Sequence, residues 1–306
     1  MIPTNNRPSP LPPALQTLLR DVRKTASLLW MKGWAEKNAG NLSVRVETSP
    51  VPISALPKDS FIKKEIPHSE LAGECFLVTG TGVRFRDISD DPESTLALVR
   101  VTDDLSGFHV LWGGRGGGDT KAASWGNQPL FDFDDAGTVE KPTGKRWAPT
   151  SELPSHLAIH ALLKRSGRSA KAVLHTHPAE ILALTHLKDL PKGKGFTELL
   201  WSMIPEVKMY LPGGAVIAPY SIPGSAALAK ATLQSLKTGA ECVVWEMHGV
   251  VTVGQGPLEA FDVADTANKA AQVYLLARSA GQKPKGLSKA QLKEIEKKFP
   301  PPKKLE

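Results

Sequence analysis

The chain has 306 residues, 41% hydrophobic and 23% charged, an ordinary globular composition that excludes an intrinsically disordered or collagen-like chain. Lys and Arg number 38 against 31 Asp and Glu, a surplus of +7. Five of those charges lie in residues 283–306, where eight lysines face three glutamates. A basic terminal segment is not a basic groove with interleaved aromatics, so the surplus points away from a polynucleotide and is compatible with a small anionic substrate.

In chain order, residues 1–13 are rich in Pro, Ser and Asn and read as a flexible tail. Leu15, Leu18, Leu19, Val22, Ala26 and Leu29 recur at helical spacing and predict a helix ending near Gly33. Leu42–Val46 alternates like a strand, and 49–70, with several prolines and lysines, reads as a loop. Phe76-Leu-Val-Thr is a short strand running into Gly80-Thr-Gly82, and Leu96–Val101 and Phe108–Trp112 are further strands. Residues 113–148 read as a glycine-rich insert. A helix through about Arg165 follows, with Thr150 or Ser151 as its cap. Ala172–His177 is a strand, and Pro178 opens a helix. Strands at 215–218 and 242–245 flank a helix near 224–238, a strand at 250–253 follows His248-Gly249, and Pro257 opens a long helix to about Gly281. Ser288–Phe299 is helix-capable. Alternating strands and helices predict one α/β domain over 14–300, with 301–306 as a second tail.

Cys75 and Cys242 each sit in an apolar run and are expected as buried free thiols. Without a C-x-x-C pair, thiolate zinc clusters and thioredoxin-like redox chemistry are excluded. No stretch reaches the ~18 apolar residues of a membrane span, and the first residues lack the apolar region of a secretory leader, so the expectation is a cytoplasmic protein.

The sharpest local signal is His175-Thr-His177. On a strand, residues i and i+2 share a face, so two imidazoles converge on one ion. His248, between a strand and a glycine, is the best candidate for the third nitrogen of a catalytic metal site with open positions. Taken alone the pair is also compatible with satisfied core or surface histidines. His156 and His160 lie at i, i+4 without the Glu of a zincin motif and read as helix-face residues. Glu152, in the first turn of a helix, is either a carboxylate favoured by the helix dipole or a general base beside a metal. Asn38-Ala-Gly-Asn41 and Thr79-Gly-Thr-Gly82 offer backbone donors as anion nests do, and Thr150 and Ser151 at a helix N-terminus add more, although each taken singly reads first as a structural turn.

In their order, Lys32-Gly-Trp-Ala-Glu-Lys-Asn-Ala-Gly-Asn-Leu-Ser, Phe76-Leu-Val-Thr-Gly-Thr-Gly, Pro149-Thr-Ser-Glu-Leu-Pro-Ser-His, Leu174-His-Thr-His-Pro and Met247-His-Gly-Val resemble the class II aldolase/adducin family. Ser106–Trp112 and Asp265-Thr-Ala-Asn-Lys-Ala-Ala-Gln-Val add to the likeness, which covers most of residues 15–300 outside the insert. The resemblance implies a three-layer α/β/α sandwich around a largely antiparallel central sheet. It implies one divalent metal per subunit, most often Zn2+, on His175, His177 and His248. Glu152 takes the position of the family's catalytic carboxylate, and Glu206 that of a second acidic residue near the metal. Asn38, Gly40, Asn41, Thr81, Gly82, Thr150 and Ser151 would hold the substrate phosphate. The resemblance implies a lysine directly after the Thr79-Gly-Thr-Gly82 turn, and this sequence departs from it with Val83.

The implied activity is a metal-dependent aldolase, an aldehyde-lyase that cuts a phosphorylated ketose into dihydroxyacetone phosphate and a small aldehyde. In the branch of greatest likeness the substrate is L-rhamnulose 1-phosphate and the aldehyde L-lactaldehyde. The implied assembly is a homotetramer with active sites near subunit boundaries. Two other readings share the scaffold: a pentulose-phosphate 4-epimerase or methylthioribulose-1-phosphate dehydratase, and a non-catalytic adducin-like binding protein.

Overall fold

In chain order the elements are α1 (Pro13–Met31), β1 (Asn41–Val46), β2 (Phe61–Lys63), β3 (Cys75–Thr79), α2 (Phe85–Ile88), α3 (Pro92–Thr95), β4 (Leu96–Val101), β5 (Gly107–Gly113), α4 (Leu153–Arg165), β6 (Ala172–Thr176), α5 (Ala179–Leu184), α6 (Lys194–Met203), α7 (Pro205–Tyr210), β7 (Ala215–Ala218), α8 (Ala226–Leu236), β8 (Cys242–Trp245), β9 (Gly249–Gly254), α9 (Pro257–Ser279) and α10 (Lys289–Lys298). The computed structural model describes residues 13–47, 60–114 and 147–300.

Nine strands form one sheet in the order β2-β5-β4-β3-β1-β6-β9-β8-β7. Every pairing is antiparallel except β7 with β8. Alternation sorts the strands' side chains between two helical layers. On one face Leu42, Val44, Leu77, Leu174 and Val244 pack with α1, α5, α6, α7 and α9. On the other, Phe76, Val78 and Val99 meet α4, and Val173, Val243 and Val251 meet α4 and α8. The result is the expected three-layer sandwich. Cys75 and Cys242 are buried and free, and burial pushes the Cys242 thiol up to about 12.

Several local expectations change. Within the segment read as a loop, Phe61–Lys63 forms a strand because β5 offers it an edge, Phe61 lying opposite His109, and Ser69–Leu71 makes one 3-10 turn. Three residues are too few to show a period in sequence. The helices α2, α3, α6 and α7 are absent from the sequence reading, and the N-cap of α4 lies one residue beyond Ser151, the later of its two expected caps. Its N-cap is Glu152, whose side chain bonds elsewhere, while Thr150 Oγ1 accepts from the Glu152 amide at 3.4 Å. Residues 1–12 of the tail read over 1–13, 49–59 of the loop, 115–146 of the insert read over 113–148 and the tail over 301–306 lie outside the described residues, while Pro13 opens α1 and Gly113 closes β5. No described helix is long and apolar enough to cross a membrane.

Candidate active site

His175 is the last residue but one of β6, a central strand held between β1 and β9, with Asn41 and Val251 as its register partners. Its Nδ1–H donates to the Val250 carbonyl at 2.9 Å. A carbonyl can only accept, so this bond fixes the tautomer and leaves the Nε2 lone pair free. His177 lies one residue beyond the strand end. Two bonds to one carbonyl hold the chain there, the His177 amide at 3.0 Å and the Thr176 hydroxyl at 2.7 Å, both to Trp34 O. His177 Nδ1–H donates to Glu36 Oε1 at 2.7 Å, which frees its Nε2 as well.

The two Nε2 atoms stand 3.2 Å apart. In these tautomers neither carries a proton, so the contact sets two lone pairs face to face. Two nitrogens bound at 2.0–2.1 Å to one tetrahedral ion stand about 3.3 Å apart. His248 supplies the third nitrogen. It sits in the turn from β8 to β9, where Met247 takes φ +57° and the His248 amide donates to Trp245 O at 3.0 Å. One ligand nitrogen from each of His175, His177 and His248 lies within 4.8 Å of the other two. His248 Nδ1 is buried without a partner among the described residues.

Burial, then the neighbouring His177, pulls His175 down to about 3, and burial, then His175, pulls His248 down to about 4. Neutral imidazoles are what a divalent cation needs as ligands. Trp245 walls the cluster, with its ring centroid 4.5 Å from His175 and 5.0 Å from His248. Gly249 makes the close approach possible: a Cβ there would meet His175 Cε1 and His177 Cδ2 at 2.7 Å each. These donors, tautomers and spacings fit a single divalent metal.

Glu152 is buried at the N-terminus of α4, with Oε2 at 3.9 Å from His175 Nε2 and accepting from Asn41 Nδ2 at 2.8 Å. One N–H of the Asn41 amide is thus given to the carboxylate. Gly40 keeps φ +81° against the sheet, where a Cβ would meet His175 O at 2.8 Å. The turns carrying Thr81-Gly82 and Thr150-Ser151 are brought side by side. Gly80 bridges Pro149, the Thr81 amide donates to Ala148 O at 2.8 Å, and the Thr150 amide donates to Thr79 O at 2.9 Å. Those two amides are spent, whereas the hydroxyls of Thr81 and Ser151 make no hydrogen bond among the described residues. Asn38 sits half-buried in the loop before β1. Glu206 is exposed on α7, and no hydrogen bond or ion pair links it to the histidine cluster.

Four residues around this site were not anticipated as parts of it: Glu36, Ser43, His156 and His160. Glu36 lies inside a run read for its family likeness and for the glycine turn that follows it, with no role given to the carboxylate itself. His156 and His160, read as helix-face residues, are instead buried against β1 with their ring nitrogens on Ser43 Oγ at 2.6 and 2.8 Å. Their i, i+4 spacing and Ser43's i+2 spacing from Asn41 were the available signals.

Residues 20–275 match the family model described as Class II Aldolase and Adducin N-terminal domain. A rhamnulose-1-phosphate aldolase from Bacteroides thetaiotaomicron is 36% identical over 295 residues, covering 95% of this chain and 97% of that protein. A protein of the same name from Klebsiella pneumoniae is 31% identical and covers 90% of each. Among solved structures, a sugar-phosphate aldolase from Thermotoga maritima superposes with a TM-score of 0.64 at 28% identity, covering 89% of this chain and 99% of that one.

Proposed function

The chain belongs to the class II aldolase and adducin family and is a sugar-phosphate aldolase, and we propose that it cleaves L-rhamnulose 1-phosphate reversibly to dihydroxyacetone phosphate and L-lactaldehyde. The observation that carries the reading is the convergence of three neutral imidazoles with a buried carboxylate 3.9 Å from one of them. Similarity to proteins named rhamnulose-1-phosphate aldolase supports the choice of substrate.

His175, His177 and His248 would hold the divalent metal, which we assign as Zn2+ from its all-nitrogen ligand set. When bound, the metal supplies a Lewis acid that stabilises negative charge developing on substrate oxygens. The rest of the chemistry falls to the chain. As C3–C4 breaks, the C4 hydroxyl becomes the aldehyde carbonyl and its proton passes to the Glu152 carboxylate, while the electron pair of the broken bond stays on the three-carbon fragment. Glu152 delivers the proton that C3 then takes, and in the synthetic direction removes it. Gly82, Thr81, Thr150 and Ser151, with Asn38 and Gly40 from the neighbouring loop, bind the phosphate at the N-terminus of α4, where helix donors favour an anion. Anchoring the phosphate positions C3 and C4 before either bond changes.

Glu206 is assigned to a neighbouring chain's site. Its exposure on α7 and its lack of a hydrogen-bond or ion-pair partner among the described residues fit a homotetramer with sites near subunit boundaries. Tyr220, Ile222 and Met247, exposed around the β8–β9 turn, offer apolar contact surface for that assembly. We place the enzyme in the cytoplasm.

The test is product analysis on the metal-loaded protein. Dihydroxyacetone phosphate and lactaldehyde are expected from L-rhamnulose 1-phosphate. Failure to release dihydroxyacetone phosphate from this or any other ketose 1-phosphate overturns the assignment, and a product that keeps all carbons together indicates an epimerase or dehydratase. Glu152→Gln is expected to retain metal and lose turnover by roughly 100-fold or more.

A further inference from the structure

From Glu152 an unbroken line of buried side chains runs between β1 and α4. Asn41 Nδ2 reaches Glu152 Oε2 at 2.8 Å, and Asn41 Oδ1 is hydrogen-bonded to His156 Nε2. His156 Nδ1 is 2.6 Å from Ser43 Oγ, and Ser43 Oγ is 2.8 Å from His160 Nε2. The line joins two elements. Asn41 and Ser43 are i, i+2 on β1 and point to the α4 face, and His156 and His160 are i, i+4 on α4 and point to the sheet. It ends at His160 Nδ1, which is buried with no partner among the described residues, beside the Phe76 ring at 4.9 Å.

That dead end gives the line a direction. If His160 carries its proton on Nε2, it donates to Ser43 Oγ. The Ser43 hydroxyl donates to His156 Nδ1, His156 Nε2–H donates to Asn41 Oδ1, and the Asn41 amide donates to Glu152. Every member then donates toward the carboxylate, and such chains strengthen one another. In the reverse arrangement His160 Nδ1–H would be an unpartnered buried donor, and the Asn41 oxygen would face the carboxylate oxygen. An orphaned N–H is the costlier fault, since under-satisfied acceptors are better tolerated than orphaned donors. Burial, with lesser charge effects, keeps both imidazoles neutral, His156 at about 4 and His160 well below its ordinary value. Each therefore has one donor and one acceptor nitrogen, as the one-way line requires.

We propose that Ser43, His156 and His160 are positioning residues of the aldolase, a one-way hydrogen-bond line that locks the Asn41 amide with its NH2 toward Glu152 and so fixes the carboxylate oxygen that faces the substrate. The proposal rests on the reading of Glu152 as the group that moves the C3 proton. None of the three belongs to the histidine cluster or to the residues assigned to the phosphate, and none is exchanged for another without breaking the sequence of donors.

The experiment compares His160→Leu, His160→Gln and Ser43→Ala with the unchanged protein in steady-state cleavage of L-rhamnulose 1-phosphate, with metal content and thermal melting measured on each. His160→Leu removes the last donor. His160→Gln keeps an N–H near the place of Nε2. Ser43→Ala removes a single oxygen, so it reports even if the leucine variant fails to fold. Expected are about tenfold losses of kcat in His160→Leu and Ser43→Ala, in line with losses on removing groups that orient a functional side chain. KM should stay within twofold, metal content should be unchanged, and most of kcat should return in His160→Gln. Glu152→Gln is measured alongside. If it keeps full turnover, the parent reading fails whatever the other variants do. If it is slow while His160→Leu and Ser43→Ala turn over like the unchanged protein, or if His160→Gln is as slow as His160→Leu, the parent reading stands and the positioning line falls.

Discussion

Asn41 and His175 are register partners on adjacent antiparallel strands, β1 and β6, and their side chains project from the same face of the sheet. Directly opposed residues share a face at about 5 Å, so one pairing sets the Asn41 amide beside the histidine cluster. The carboxylate of Glu152, brought from α4, fills the space between them: 2.8 Å to Asn41 and 3.9 Å to His175. The proposed proton-moving group and a proposed metal ligand are thus tied to the two most central strands, where displacement is costly. The first three predictions concern what keeps the imidazoles in place.

Gly249→Ala is expected to lower metal affinity at least tenfold. A Cβ at this position would meet both His175 and His177 at 2.7 Å and the Thr176 carbonyl at 2.8 Å, and the strand backbone has no room to retreat. Gly256→Ala, where a Cβ meets nothing within 4 Å, is the control and should bind metal normally. Metal titration of the two variants decides it, and equal affinities would show that the rings are not confined by this glycine.

Glu36→Ala is expected to weaken metal binding by roughly tenfold, the lower end of the range for partners that orient a ligating histidine. The lower end applies because the carboxylate is 62% exposed, so water replaces much of what is lost. Activity should recover when zinc is added in excess. If excess metal fails to restore it, Glu36 acts on something other than His177.

Chelation is expected to lower the melting temperature, because metal that binds only the folded chain stabilises it by about 2.7 kcal/mol at a free concentration of 100 times Kd. His248→Ala, which removes one ligand, should start from the lower value and respond little to the chelator. Melting curves with and without chelator measure both, and identical shifts in the two proteins would count against His248 as a ligand.

Parts of this arrangement were legible in the residues because their spacing is short-range. His175-x-His177 on a strand, the His248-Gly249 turn and Glu152 at a helix start each announce themselves locally, as do the long helices α1 and α9. What was not legible depends on partners distant in sequence. Phe61–Lys63 becomes a strand only because β5 offers an edge. His156 and His160 have an ordinary helical spacing, and they become a polar line only when β1 brings Asn41 and Ser43 beneath them, 113 to 117 residues away along the chain. Glu36 is 141 residues from His177, and a glycine-turn motif hides its separate task.

The last prediction concerns a group far from the histidines. Glu241 precedes β8 and is largely buried, with Oε1 accepting from the Gly213 amide at 3.3 Å and Oε2 without a partner among the described residues. The nearby Arg168 guanidinium turns its N–H groups to the Ala240 carbonyl at 3.2 and 3.3 Å instead. Burial therefore outweighs the attraction of the arginine and raises Glu241 to about 7. A group whose pKa is raised by folding binds its proton more tightly in the folded chain. Its stabilising contribution is full below about 4.5 and is lost as pH rises through about 7. His156 works the other way: held down to about 4, it costs stability as pH falls below about 6.5, where the unfolded chain takes up the proton. Between about 4.5 and 6.5 the two groups therefore oppose each other, and above about 6.5 the loss from Glu241 stands alone until it is complete just past 7. Glu241→Gln cannot ionise and should remove the alkaline decline, leaving the variant about 1–3 kcal/mol more stable than the unchanged protein at pH 8 and near parity at pH 5. Urea midpoints at the two pH values measure the difference, and parallel profiles would mean that the buried carboxylate finds its compensation in the arginine after all.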